Sequence, residues 1–335
     1  MTSRSRIILA IVLVLFPLLG SQLDHTSANS HHVYIAIGDS IAAGIGSSLP
    51  RTRSYPALIG DWITDLDGEP TATENLAVPG ETATDFVTDG QLAAFQSLVD
   101  QTGQRGAEIR LVTVSLGGNE ILNLMDATPE ERETGLDAFR DSYREALISV
   151  RELVGEDVPI AATTYYDLTD GDPEIEFSDA WWIERFNQVI VEVAEDTGST
   201  AIDLRSAFER QIQELTYYPI DVHPTNQGYR AIAHAIWRGI EFDRNAPRID
   251  LGAPSTFTRL TPTLRVSVED NVEIDTVTLE LSDGEASQLI PQGDGRYISL
   301  LDLRNVEGDE VEISVTAADM AGNQSSDRET VAIEE

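Results

Sequence analysis

The sequence predicts a three-layer α/β/α domain built on a parallel sheet, followed by an all-β domain of the sandwich type. Short β-rich runs alternate with amphipathic helical patterns from Val33 to about Asp243, and strand–helix alternation is the pattern of a parallel sheet covered on both faces. After Arg244-Asn-Ala-Pro247 the helical period disappears. Apolar and polar residues then alternate at period two, as in Leu264-Arg-Val266-Ser-Val268, which suits half-buried strands. A chain of 335 residues is long enough for two such cores.

The first 28 residues stand apart from both domains. Arg4 and Arg6 precede an apolar run from Ile7 to Gly20, and small polar residues follow around Thr26-Ser27-Ala28. A basic start, a short apolar core and a small-residue stretch describe a secretory leader, so the mature chain is expected to begin beyond about residue 28 and to be exported. An uncleaved anchor is the alternative, although the run is shorter than the ~20 residues of a spanning helix.

Within the first domain, residues 31–243, strands are expected at 33–37, 75–78, 109–116, 158–165 and 200–204. Leu136, Phe139, Tyr143, Leu147, Val150 and Val154 recur at steps of three and four and predict one helix; Trp182, Phe186, Val189, Ile190 and Val193 predict another. A further helix is expected over 231–240. The second domain, residues 246–335, reads as about seven short strands separated by turns such as Asp283-Gly284 and Gly293-Asp-Gly295.

The formal charge is −36, and all 22 basic side chains are arginine. Such a field repels nucleic acid and anionic membrane surfaces. Neutral or cationic partners remain, and the acidic excess otherwise serves as a solvated surface or an adaptation to salt. Cysteine is absent, which excludes disulfides, thiolate metal sites and a cysteine nucleophile.

Four separated blocks carry chemistry. Ile37-Gly38-Asp39-Ser40 puts a serine at the carboxyl edge of the first strand, where α/β sheets bind ligands; a helix N-cap is the plain alternative. Asn75-Leu-Ala-Val-Pro-Gly80 ends in a glycine whose backbone can approach a ligand, or simply turn. Ser115-Leu-Gly117-Gly118-Asn119 ends in an amide able to donate to negative charge at the sheet edge, or in a turn asparagine. In Asp221-Val-His223-Pro-Thr, the proline holds His223 extended and off the following helix. His25, His31 and His32 lie near the leader, and His234 lies in an amphipathic helix where packing accounts for it.

Taken together and in this order, the blocks resemble those of the SGNH (GDSL-type) hydrolases over nearly all of residues 33–243. The resemblance implies a flavodoxin-like sheet and a serine esterase that needs no metal or organic cofactor. It assigns Ser40 as nucleophile and His223 as its base, with an oxyanion hole from the backbone N–H groups of Ser40 and Gly80 and the side chain of Asn119. Two positions depart from the family pattern. Glu120 stands where aspartate is common after the asparagine, and the acid expected three residues before the histidine is replaced by Ile220, with Asp221 two before. Residues two apart in an extended segment point the same way, so Asp221 can reach the imidazole; a backbone carbonyl such as that of Ile220 is the alternative. The stretch 315–323 resembles the last hairpin of bacterial immunoglobulin-like domains.

These readings imply hydrolysis of a carboxylic ester, either a lipid acyl ester or an O-acetyl group on a polysaccharide. Loops 45–55 and 167–181 are expected to choose between them, with Tyr165, Tyr166, Trp181 and Trp182 as pocket candidates. An acyltransferase using the same intermediate, or a surface-binding protein with a degenerate hydrolase domain, are the rival functions. The second domain is expected to act as a spacer or a cell-surface or polysaccharide contact, with calcium near Asp270 and Asp319 a minor alternative.

Overall fold

The computed structural model describes residues 30–334 apart from 170, 259, 283, 285 and 305. The expected leader with His25, and Asp283 of an expected turn, lie outside the described residues. No helix among the described residues is long and apolar enough to cross a membrane.

Five strands form the first sheet: β1 (His32–Gly38), β2 (Thr71–Asn75), β3 (Glu108–Ser115), β4 (Ile160–Thr163) and β5 (Thr200–Ile202). All pairings are parallel, and the order is β2-β1-β3-β4-β5. Val33 to Ile37 of β1 are fully buried, as a strand covered by helices on both faces requires. This is the doubly wound order in which connections leave β1 and β3 toward opposite faces and open a crevice at their carboxyl ends. Ser40 follows β1, and Gly117-Gly118-Asn119 follows β3. Topology alone therefore brings two of the four blocks together.

Some boundaries differ from expectation. β2 lies at 71–75 rather than 75–78, because Leu76 and Val78 still donate to the Ala36 and Gly38 carbonyls but belong to the loop beyond the strand. The last helix of the domain is Asn226–Ile240, five residues longer than expected, since the Thr225 hydroxyl accepts from Gly228 N and starts it directly after Pro224. The two long helices, Pro129–Val154 and Asp179–Asp196, bury the expected apolar faces, and Phe139 meets Phe186 with ring centroids 5.3 Å apart.

The remainder is mostly β. Strands β6 (Arg248–Asp250), β7 (Thr256–Thr258), β8 (Thr263–Glu269), β9 (Ile274–Leu281) and β10 (Ala286–Gln288) are followed by β11 (Ile290–Gly293), β12 (Arg296–Leu300), β13 (Glu310–Asp319) and β14 (Gln324–Glu334). They form two sheets, ordered β10-β9-β13-β14-β7 and β11-β12-β8-β6. Leu264, Val266 and Val268 from one sheet share a core with Leu279, Ile313 and Val315 from the other. Among the described residues the strands number nine rather than seven, because short edge segments such as β7 and β10 carry no clear alternation.

The two parts are packed against each other. Met320, at the tip of the β13–β14 hairpin, is 1% exposed and belongs to the core of the α/β domain. Beside it the Trp62 indole N–H donates to Glu273 over 3.3 Å, and Arg230 pairs with the same carboxylate at 2.7 Å. Met320→Ala should therefore cost about 2–5 kcal/mol, the range for truncating a buried side chain of this size. Urea denaturation checks this; an unchanged midpoint would mean that the contact stabilises nothing.

Candidate active site

The carboxyl end of β1 is shaped by a close approach. Gly38 has φ +134°, and a Cβ there would lie 2.2 Å from the Ser115 carbonyl oxygen of β3, so only glycine fits. Gln91 clamps the same residue, accepting from Gly38 N at 2.7 Å and donating to Gly38 O at 3.1 Å. The chain then turns through residues 39–46, with Asp39 N bonded to Ser115 O and Ile45 N to Ser40 O, each at 3.0 Å.

Asp39 is buried beneath this turn. One carboxylate oxygen accepts from Ile41 N at 2.9 Å and the other from the Tyr165 hydroxyl at 2.7 Å. Burial pushes its carboxyl up to about 6, with both hydrogen bonds opposing. Tyr165 is itself fixed by Asn187, whose amide bonds both its N–H and its carbonyl at 2.8 Å.

His223 arrives from the other side of the crevice. Its loop is tied at both ends, by Tyr217 N to His223 O at 3.1 Å and by Thr225 N to Leu215 O at 2.8 Å. The Tyr166 hydroxyl donates to the Val222 carbonyl at 2.7 Å. Gly46 permits the approach to the serine turn: with φ +95°, its Cβ position lies 2.6 Å from Pro224 O. The imidazole Nε2 stands 2.8 Å from Ser40 Oγ, and Nδ1 stands 2.5 Å from Asp221 Oδ1. Burial works to raise the Asp221 carboxyl, but the hydrogen bonds and charge of His223 outweigh it and hold it below its ordinary value. Of the two partners expected for the imidazole, the carboxylate is the one in contact.

Asn119, in the helix Gly118–Leu124, donates from Nδ2 to the Glu81 carbonyl at 2.7 Å, which orients the amide and leaves its second N–H for another acceptor. Gly80 sits in the same loop, with positive φ and open space around it. Val78 N bonds Gly38 O at 2.9 Å and ties that loop to the end of β1. Ser40, Asn119 and His223 line one cavity of about 70 Å³; Gly80 and Asp221 do not. Its apolar walls are Ile121, Leu122, Met125, Leu168 and Ile183.

The structure corrects the aromatic assignment. Tyr165 and Tyr166 line the cavity, whereas Trp181 and Trp182 do not. Trp182 is buried in the helix Asp179–Asp196 under Arg132, and Trp181 stacks under Arg185. Loop 167–181 contributes Leu168 and Thr169 to the wall, and loop 45–55 contributes none of the lining residues. His234 is packed against Trp62, and burial lowers it to about 4, in line with a packing role.

Residues 36–231, more than half of the chain, match the GDSL-like Lipase/Acylhydrolase family. The chain belongs to this family. Solved structures similar to it include the acetylxylan esterase Axe2 from Geobacillus stearothermophilus, 19% identical, covering 65% of this chain and 97% of that one with a TM-score of 0.48. Another is LAE5, an alpha/beta hydrolase from the metagenome of Lake Arreo, Spain, 22% identical, covering 62% and 94% with a TM-score of 0.40. No curated protein matches.

In this GDSL-like acylhydrolase, Glu120 binds more than its neighbour's role suggested. Its Oε1 accepts from Ala83 N at 2.6 Å, which joins the Asn119 helix to the helix Ala83–Thr88. Burial pushes its carboxyl up to about 7 from an ordinary 4.5, against the opposing hydrogen bond from Ala83. The native state then holds one more proton than the unfolded chain across that interval, so stability falls as pH rises through it. Glu120→Gln keeps the acceptor and removes the titration. Its urea midpoint should gain on the wild type between pH 5.5 and pH 8; a difference independent of pH would count against a raised Glu120.

Proposed function

We propose that this chain is an exported serine esterase that hydrolyses short-chain carboxylic esters through an acyl-enzyme on Ser40. The observation that carries the reading is the unbroken line Ser40 Oγ, His223 Nε2, His223 Nδ1, Asp221 Oδ1, with contacts of 2.8 and 2.5 Å, opening into a small apolar cavity. In such a line the neutral imidazole takes the serine proton as Oγ attacks the ester carbonyl. The carbonyl oxygen gains negative charge, which the Ser40 N–H and the Asn119 amide at the cavity are suited to receive, with the Gly80 N–H on the adjoining loop as a further donor. The imidazolium, steadied by Asp221, returns the proton to the departing alcohol. Water, activated by the same imidazole, then attacks the acyl-serine and releases the acid.

The cavity argues for a small acyl group. The space beside Ser40 is small, about 70 Å³, and walled by apolar side chains, which suits an acetyl or other short acyl group. A charge of −36 disfavours anionic substrates, so an acetylated neutral sugar fits better than a charged lipid. We read the β domain as an immunoglobulin-like sandwich that contacts a polysaccharide or cell surface. It offers an open cleft of about 630 Å³ bordered by Glu269, Asp275, Asp294 and Tyr297.

Purified mature protein should hydrolyse p-nitrophenyl acetate with kcat/KM at least ~10-fold above the octanoate, the scale set by one poorly accommodated hydrophobic contact. Ser40→Ala should abolish both turnover and labelling by a fluorophosphonate, and equal labelling of wild type and variant would remove Ser40 from its role. Asp221→Asn should lower kcat by on the order of 10²–10⁴-fold, by analogy with the serine-protease triad, because the amide favours the wrong imidazole tautomer. A near-normal kcat would leave a Ser–His dyad.

A further inference from the structure

Away from the cavity, three carboxylates from distant parts of the chain converge. Asp243 lies three residues beyond the helix Asn226–Ile240, where the α/β domain ends; Asp270 lies between β8 and β9; and Asp319 closes β13 at the hairpin that carries Met320. One ligand oxygen from each lies within 4.8 Å of the other two. Asp319 is 0% and Asp243 3% exposed. Asp243 Oδ2 and Asp270 Oδ1 are buried without a hydrogen-bond partner among the described residues.

The partner oxygens show how the carboxylates are aimed. Asp243 Oδ1 accepts from Asn245 N and Asn271 Nδ2, Asp270 Oδ2 accepts from Val272 N, and both Asp319 oxygens accept from Asn323. Neutral amides thus hold each group in place while supplying no positive charge. Among the described residues none of the three forms an ion pair; the nearby Arg244 pairs with Glu241, and Arg238 with Asp275. Three crowded carboxylates, two of them buried, are unfavourable together unless a cation compensates.

We propose that Asp243, Asp270 and Asp319 form a calcium site that fastens the end of the α/β domain to two loops of the β domain. The donors are all hard oxygens, with no imidazole or thiolate, which selects against zinc. The three oxygens lie within 4.8 Å of one another, close enough to share one ion, and an irregular set of protein carboxylates suits calcium's flexible shell better than the near-ideal, water-rich octahedron of magnesium. Asp319 directly precedes Met320, so the ion also orders the hairpin that seats Met320 in the neighbouring core.

The test uses the mature two-domain protein stripped with EDTA, followed by calorimetric titration and thermal unfolding in calcium, magnesium or sodium chloride at matched ionic strength. One calcium ion per chain should bind with Kd in the range of about 10⁻⁶–10⁻³ M and raise Tm by several degrees, with a smaller rise in magnesium. Asp243→Asn and Asp319→Asn should each weaken binding at least ~10-fold, and calcium-free Asp243→Asn should be no less stable than calcium-free wild type, since it keeps the accepting oxygen and removes a repelling charge. If either fails to fold, Asp270→Asn at the partly buried position gives the same comparison. Absence of binding heat at about 10 mM calcium overturns the site, that concentration lying above even weak extracellular calcium modules. So do equal Tm shifts in calcium and magnesium that persist in the variants, which would mark general screening of an acidic surface.

Discussion

The contact on which the rest depends is the approach of β1 to β3 at their carboxyl ends. Gly38 brings its backbone so close to Ser115 O that no side chain fits, and Gln91 holds the same residue through both its N–H and its carbonyl. That closeness delivers the Asp39–Ser40 turn and the Gly117–Asn119 segment to one edge. The loop carrying Gly80 is drawn in through Val78 N and Gly38 O, and Asn119 then bonds its Glu81 carbonyl. His223 and Asp221 are delivered from elsewhere, on a loop held by Tyr166, Tyr217 and Thr225. Preorganisation here is a property of backbone spacing, supported by amide and hydroxyl side chains on rigid elements.

The acidic composition is organised by its few cations. Arg140, Arg144 and Arg185 join the helix Pro129–Val154 to the helix Asp179–Asp196 through Glu192, Asp196 and Glu133. Exposed pairs of this kind contribute little singly, at most about 1 kcal/mol each. Arg151 acts on backbone instead. Its guanidinium donates to the carbonyls of Thr197, Gly155, Val158 and Gly198, closing the ends of both helices at once. A planar fork with five donors can do this, and a lysine cannot.

The layer order and the convergence of Ser40, Asn119 and His223 were legible in the sequence because both have local signatures. Burial on two faces makes β1 continuously apolar, and the serine, asparagine and histidine each follow a recognisable strand or precede a proline. What stayed hidden depends on contacts between residues far apart in the chain. Gln91 opens an ordinary helix, and nothing near it announces that its amide reaches Gly38, 53 residues away. Asp39 looks like a surface turn residue until Tyr165, 126 residues later, is found against its carboxylate. Trp181 and Trp182 misled for the same reason: aromatic character is visible in sequence, but the arginines that cover it come from another turn or another helix. Asp243 gave no signal at all, since its partners Asp270 and Asp319 belong to a different fold.

The seating of Met320 in the neighbouring core bears on how this pair of domains is inherited. A β domain joined only by a flexible tether can be shuffled between unrelated catalytic domains, because neither surface has to know the other. Here the hairpin tip fills space among side chains of the α/β domain, and Glu273 satisfies both the Trp62 indole and Arg230. Exchange of either half would leave an apolar hollow on one side and an unpaired carboxylate on the other. The two folds are therefore expected to travel together through descent, with Trp62, Arg230, Glu273 and Met320 changing in concert.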